Sequence, residues 1–471
     1  MIRSLSLALV LSITACRSTQ QAPSEPPVGS GSAVADRSGS GSGSGSAAVD
    51  PWKAVDAAPP LDPKTRAEQA IARLSTIQPK LAALRELPLD TPVPAEYQTT
   101  DDFRAFMRKG LAKELPPDKA AKTAQALYHL GFFNELVDLP KVLEQTMATQ
   151  AAAYYDPGTK KFFVVMVPDS DLMLDTISAH ELTHALQDKH FDLTKYLPPD
   201  LDDDQGIARR FIAEGDATFT MFAYLATDKA GPSALPKLLK LLGGQLESMA
   251  SQSTAGYAEM MKQQAAMMPG LDADMKKSME SIQDLPPMIV GPLIDSYLKG
   301  ALVAMDAYEA GGWKGVDALY TKPPTSTEQV LHPKTKLIPK REEPRAVTLP
   351  KLDGTELTRN VVGELQWSIY FQQWALHQPD AAPGWGGDHY AVMKDKAGKL
   401  VGYIATTWDT PKDAEEFEAA YKASVAMRFP SGARDDGAKV FIKRAGNNVF
   451  IVDGGTDATA VDRLAAGTKI K

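Results

Sequence analysis

The residue types best suited to chemistry stand together in His180-Glu181-Leu182-Thr183-His184. On an α-helix, residues four apart differ by only about 40° around the axis, so both imidazoles face one way and can share one ion. Glu181 lies about 100° further round, close enough to hold a water on that ion without ligating it. Zn²⁺ suits such a set, because two neutral imidazoles and a carboxylate leave an open fourth position where bound water falls to a pKa of about 7. The general base of such a site is a carboxylate beside the metal, and Glu181 stands where it is needed. The chain has a single cysteine, which excludes a zinc site of several thiolates and any internal disulfide framework. With only 7 histidines present, chance produces this pattern in roughly one chain in a hundred.

A third ligand must come from elsewhere, and two residues compete for the place. His190 is ten residues after His180, the spacing of the metzincins, in which a glycine lets the chain turn so that a last histidine folds back to the metal. Here Gln187 holds that position, a good helix former with no freedom at positive φ. If the helix continues, His190 lies roughly 240° from His184, on another face. Glu214 is preferred: it sits in Ala213-Glu214-Gly215-Asp216-Ala217 on the next helix, with small neighbours that allow close helix–helix approach. Asp216 is the outside choice, or a partner that orients an imidazole. Without a metal, the same residues read as two core or surface histidines and an ordinary buried-edge acid.

The pair His180 and His184, followed on the next helix by Glu214, resembles the gluzincin type of zinc metallopeptidase. Tyr155-Asp156-Pro157, His180 to Leu193, Glu214 to Ala217, Pro323 to Pro333 and Trp385 to Asp388 are also similar to an uncharacterised group of bacterial and archaeal gluzincin-like proteins. The resemblance implies a helix-rich, zincin-like fold, a peptide or protein substrate, and zinc on His180, His184 and Glu214 with Glu181 as base. It also implies a His or Tyr outside the motif that donates to the oxyanion of the tetrahedral intermediate. His332 in Glu328-Gln329-Val330-Leu331-His332-Pro333 is the candidate, the other reading being a histidine that caps a loop. Tyr154 and Tyr155, before the active helix, either line the substrate cleft or pack. Asp388-His389 reads as a turn acid beside a strand histidine rather than a metal site.

These groups must be positioned by an α+β architecture. From Lys64 to Gln150 the apolar spacing is mostly helical, with breaks at Pro92–Pro94 and Pro116–Pro117. Ala151–Tyr155 and Lys161–Val167 read as two strands around the turn Asp156-Pro157-Gly158-Thr159. An edge strand near Phe162–Val167 would align an extended substrate by backbone hydrogen bonds. Asp169-Ser170-Asp171 offers caps for the helix that carries the motif, and a second helix runs from about Gln205 to Tyr224. Beyond Leu349 the pattern predicts a helix at Asn360–His377, strands at His389–Lys394 and Leu400–Thr407, a helix at Pro411–Met427 and a final hairpin and helix. The expected domains are thus residues 61–349, helix-rich with a small mixed sheet, and residues 350–471, a smaller α+β unit.

The N-terminus predicts where the protein works. Arg3, an apolar run from Leu5 to Ile13 and Ile13-Thr14-Ala15-Cys16 have the layout of a secretory signal over residues 1–15. The tetrapeptide resembles a bacterial lipobox, in which Cys16 takes lipid and anchors the chain. Residues 16–60 follow as a Gly/Ser/Ala/Pro-rich tether that cannot bury enough apolar surface to offset its ordering entropy. Its reach is roughly 30–40 Å. The expected location is the bacterial cell envelope, exported, and Arg17 after the cysteine leans towards the outer membrane by resemblance to Gram-negative lipoproteins. A net charge of −8, from 51 basic and 59 acidic residues, argues against nucleic acid as a partner. The expected activity is that of a membrane-anchored zinc metallopeptidase. The alternative is a surface lipoprotein, with or without a metal, that binds a partner and hydrolyses nothing.

Overall fold

The computed structural model describes residues 62–148, 152–167, 170–267, 284–374, 376 and 378–471. The expected signal, the lipidation site Cys16 and the tether lie outside the described residues. Pro63–Lys471 forms one compact unit, a mixture of helices and small sheets, as an α+β reading requires.

The first four helices among the described residues are α1 (Pro63–Arg85), α2 (Thr100–Glu114), α3 (Pro117–Leu130) and α4 (Leu139–Ala148). A three-stranded sheet joins β1 (Ala95–Tyr97), between α1 and α2, to β2 (Ala153–Asp156) and β3 (Lys161–Val164), between α4 and the motif. Its order is β1-β3-β2, with β1 parallel and β2 antiparallel to β3. The turn between β2 and β3 is tied by Asp156, which accepts the Gly158 and Thr159 main-chain N–H groups. One expectation is corrected here. The strand at 161–164 is central, not an edge, because residues 95–97 pair with its second side. The Pro92–Pro94 break hid this short strand, and extended backbone around proline is what lets it lie beside β3. Its backbone groups are therefore already spent within the sheet.

Helix α5 (Asp171–Phe191) carries the motif; Ser170 caps it, accepting the Met173 N–H. After the single-turn α6 (Leu193–Tyr196) comes α7 (Asp203–Ala230), capped by Asp202. Helices α8 (Leu235–Ala250) and α9 (Thr254–Met267) follow, then the long α10 (Pro287–Thr321). By length and composition α10 would pass for a membrane span, but 72% of its most apolar window is buried within the protein, which makes it a core helix. It crosses α7 at glycines: a Cβ on Gly300 would lie 2.4 Å from the Phe211 carbonyl oxygen, and one on Gly215 would lie 2.1 Å from the Gly300 carbonyl carbon. Only glycine at both positions permits this approach.

The short α11 (Thr327–Leu331) leads to β4 (Val347–Thr348), which pairs with β10 (Lys469–Ile470). The C-terminal part contains β5 (Thr355–Asn360), α12 (Gly363–Gln373), β6 (Trp385–Lys394), β7 (Leu400–Trp408), α13 (Pro411–Arg428), β8 (Lys439–Ala445), β9 (Asn448–Gly455) and α14 (Thr459–Gly467). Its five strands run in the order β5-β6-β7-β9-β8, every pair antiparallel. Thr410 and Asp413 form a capping box at the start of α13, which explains its abrupt N-terminus. This sheet packs on the helices before it. Phe132 touches the rings of Trp367, Tyr370 and Tyr390, and the His129 ring lies 3.0 Å from the Asp453 carbonyl.

Candidate metal centre

His180 and His184 project from one face of α5, as their spacing requires. Their rings meet at 81°, with Nε2 atoms 3.2 Å apart. Glu214, thirty-four residues beyond His180, is brought to them by α7: its Oε2 lies 3.3 Å from His180 Nε2 and 3.4 Å from His184 Nε2. All three side chains are buried. A tetrahedral ion with ligand distances of roughly 2.0–2.1 Å separates its ligand atoms by about 3.3–3.4 Å. The observed triangle of 3.2, 3.3 and 3.4 Å has the edges of one face of that tetrahedron. The donor set of two imidazoles and a carboxylate therefore fits zinc in both chemistry and size.

Glu181 belongs to the same cluster more loosely, its oxygen and the two imidazole nitrogens lying within 4.8 Å of one another. Its Oε2 accepts the main-chain N–H of Tyr155 on β2 at 2.9 Å. The strand thus fixes the carboxylate beside the triangle rather than in it. Tyr155 has its hydroxyl on Asp188 and Tyr154 has its hydroxyl on Gln98, both at 2.8 Å. Both tyrosines are buried packing residues.

Electrostatics in the cluster follow from burial opposed by charge. Burial pulls His180 below its ordinary value. Burial acts the same way on His184, but Glu214 beside it prevails and raises that imidazole to about 9. Burial would raise Glu214, yet the two imidazoles hold it down to about 2. The Glu214 carboxylate thus favours positive charge at this triangle.

A chain of buried groups stands behind His184. Its Nδ1 lies 2.8 Å from Gln187 Oε1, while Gln187 Nε2 donates to the Ala213 carbonyl at 2.9 Å and to Asp216 at 3.1 Å. That amide cannot be reversed without setting its oxygen against two acceptors. Asp216 also accepts from Tyr320 at 2.9 Å, and it pairs with Arg85 of α1 at 2.9 Å. Arg85 is fully buried, reaches Asp317 at 2.8 Å and lies over the Trp313 ring at 4.8 Å. Asp216 is therefore not a fourth member of the triangle; it orients the residue that orients His184.

The remaining candidates lie apart. His190 sits within the unbroken α5, and its Nε2 is 2.9 Å from the Pro88 carbonyl. His332 pairs with Glu364 at 2.7 Å, and its described contacts include no member of the triangle. Asp388 is a structural hub, accepting from Val362, Gly363, Trp367 and Trp385, and His389 Nδ1 lies 2.9 Å from the Val347 carbonyl. Tyr297 of α10 escaped the sequence reading. Its ring lies 5.6 Å from that of His180, and burial together with Glu214 and Glu181 keeps its hydroxyl protonated far above the ordinary range. Only the glycine crossing of α7 and α10 brings it there, and a tyrosine in an apolar helix carries no local signal of that.

A family model described as Domain of unknown function (DUF8575) matches residues 350–465. No curated protein sequence and no solved structure matches this chain.

Proposed function

We propose that this chain is a zinc-dependent peptidase of the gluzincin type, exported and held in the cell envelope by lipid on Cys16. The observation that carries the reading is the triangle of His180, His184 and Glu214, sized for one tetrahedral ion, with a second carboxylate fixed beside it. His180, His184 and Glu214 would hold zinc, which would supply a Lewis acid for the substrate carbonyl and acidify a water. Glu181 would be the base beside that site, taking a proton from an attacking water and giving it to the departing amine, so that its charge is restored at each turnover. Gln187 keeps the His184 Nδ1 proton in place, which leaves Nε2 as the ligand atom. Tyr297, protonated and beside Glu214, is a better placed donor to the developing oxyanion than His332, whose ring is held by Glu364.

Metal analysis of the full chain by mass spectrometry tests the ligand set. One zinc per chain is expected in the wild type and in His190→Ala, and a loss in Glu214→Ala. Glu181→Gln and Tyr297→Phe should keep zinc while peptide turnover falls by about a hundredfold or more. Zinc retained in every variant would remove Glu214 from the site. Zinc present without turnover of any peptide would leave a metal-bearing binding protein.

A further inference from the structure

A cleft of about 1020 Å³ runs from Glu214 at the metal centre to the C-terminal sheet. Helices α6 and α7 and the loop between them line it, with the facing ends of α2 and α3, Thr358–Asn360 of β5, and His389 and Tyr390 of β6. Arg210 lines it, four residues before Glu214 and so on the same face of α7. Arg210 is half-buried, and its side chain has neither hydrogen bond nor ion pair among the described residues. The nearest acid on its own helix face, Glu214, has turned to the two imidazoles. The other cations of the cleft are differently placed: Lys113 and Lys119 are exposed, and Arg359 is held by Glu356.

We propose that Arg210 is a specificity-determining residue that holds a carboxylate of the substrate one or two residues from the bond that is cut. This rests on the peptidase reading above. A guanidinium partly stripped of water and lacking a protein partner is costly unless an anion completes it. Its planar fork matches a carboxylate in bidentate fashion. Four residues of helix rise about 6 Å, and an extended peptide advances about 3.3–3.6 Å per residue. A chain whose carbonyl is at the metal centre therefore places an acidic side chain, or its own C-terminal carboxylate, at Arg210.

The test uses the full chain carrying Glu181→Gln, loaded with zinc, and equilibrium binding of paired peptides. One set compares Glu with Gln at each position near the cleavable bond, with amidated ends. A second set compares a free C-terminal carboxylate with its amide. The carboxylate member should bind on the order of ten- to a hundredfold more tightly in at least one set, and that set identifies the source. Adding Arg210→Gln should abolish the difference while leaving zinc content and the affinity of neutral peptides unchanged. No preference in either set, a preference that survives Arg210→Gln, or loss of zinc in that variant would each overturn the proposal. Turnover by the enzyme with Glu181 intact is read separately. A preference bound to Arg210 without turnover would sink the peptidase reading and leave the carboxylate site standing.

Discussion

At the scale of single residues, the triangle of His180, His184 and Glu214 depends on groups outside it. Gln187 accepts from His184 at 2.8 Å and is itself held by Ala213 and Asp216. Gln187→Leu keeps the helix and the volume but leaves Nδ1 without an acceptor. Zinc affinity, measured by competition with a chelator, should fall about ten- to a hundredfold. Unchanged affinity would show that the ring needs no orienting partner. His332 makes a different contribution. Its hydrogen bond to Glu364 raises its pKa above the ordinary 6.5, with burial opposing and with Glu328 and Lys336 also facing it. A group whose folded pKa is raised stabilises fully below its unfolded value and loses that contribution as pH rises through the folded one. Urea midpoints of wild type and His332→Gln should therefore differ more at about pH 5.5 than at about pH 9. An equal difference at both would mean that the pair is not charged.

At the scale of elements, the centre is an intersection of α5, α7 and α10, and its precision is set by how closely two of them approach. Gly300→Ala puts a methyl 2.4 Å from the Phe211 carbonyl oxygen, so the helices must part. Overpacking of this kind costs about 1–3 kcal/mol, and zinc occupancy should fall with stability because Glu214 rides on α7. Gly206, also on α7, has nothing within 4 Å of an added Cβ. Gly206→Ala should instead stabilise by about 0.5–1 kcal/mol. Thermal unfolding of the two variants separates a steric crossing from a general intolerance of alanine. Helix α5 itself was legible in the sequence, from its cap at Ser170 to its apolar spacing. The strand at 95–97 was not, because three residues beside two prolines have no periodicity to read.

At the scale of the whole molecule, the C-terminal sheet is bound to the rest by charge and by rings. Asp453 of β9 is fully buried and pairs with Arg428 and Arg434, and Arg428 also reaches the His129 carbonyl on α3. With Phe132 among Trp367, Tyr370 and Tyr390, these contacts predict one cooperative unfolding transition. Four of the 6 tryptophans, Trp367, Trp374, Trp385 and Trp408, follow residue 349, so tryptophan fluorescence reports mainly on that part. Far-UV circular dichroism is dominated by the long helices before it. The two urea curves should coincide; two separate midpoints would mean that residues 350–471 unfold as an independent domain.

Some of this protein follows from its sequence because the interactions concerned are local. Four residues of helix place His180 and His184 on one face whatever surrounds them, and Glu181 follows from the same geometry. The hairpin at Asp156–Thr159 and the capped starts of α5 and α13 are equally short-range. Tertiary structure alone decided the rest. It carried Oε2 of Glu214, already favoured by the sequence, to the third corner and placed β3 inside its sheet. It also set Tyr297 beside His180, and it joined Arg85 to Asp216 and so to Gln187. Each of these joins residues far apart in the chain. Their meeting depends on how whole helices pack, here on two glycines that let α7 and α10 touch, and no spacing along one helix encodes that contact.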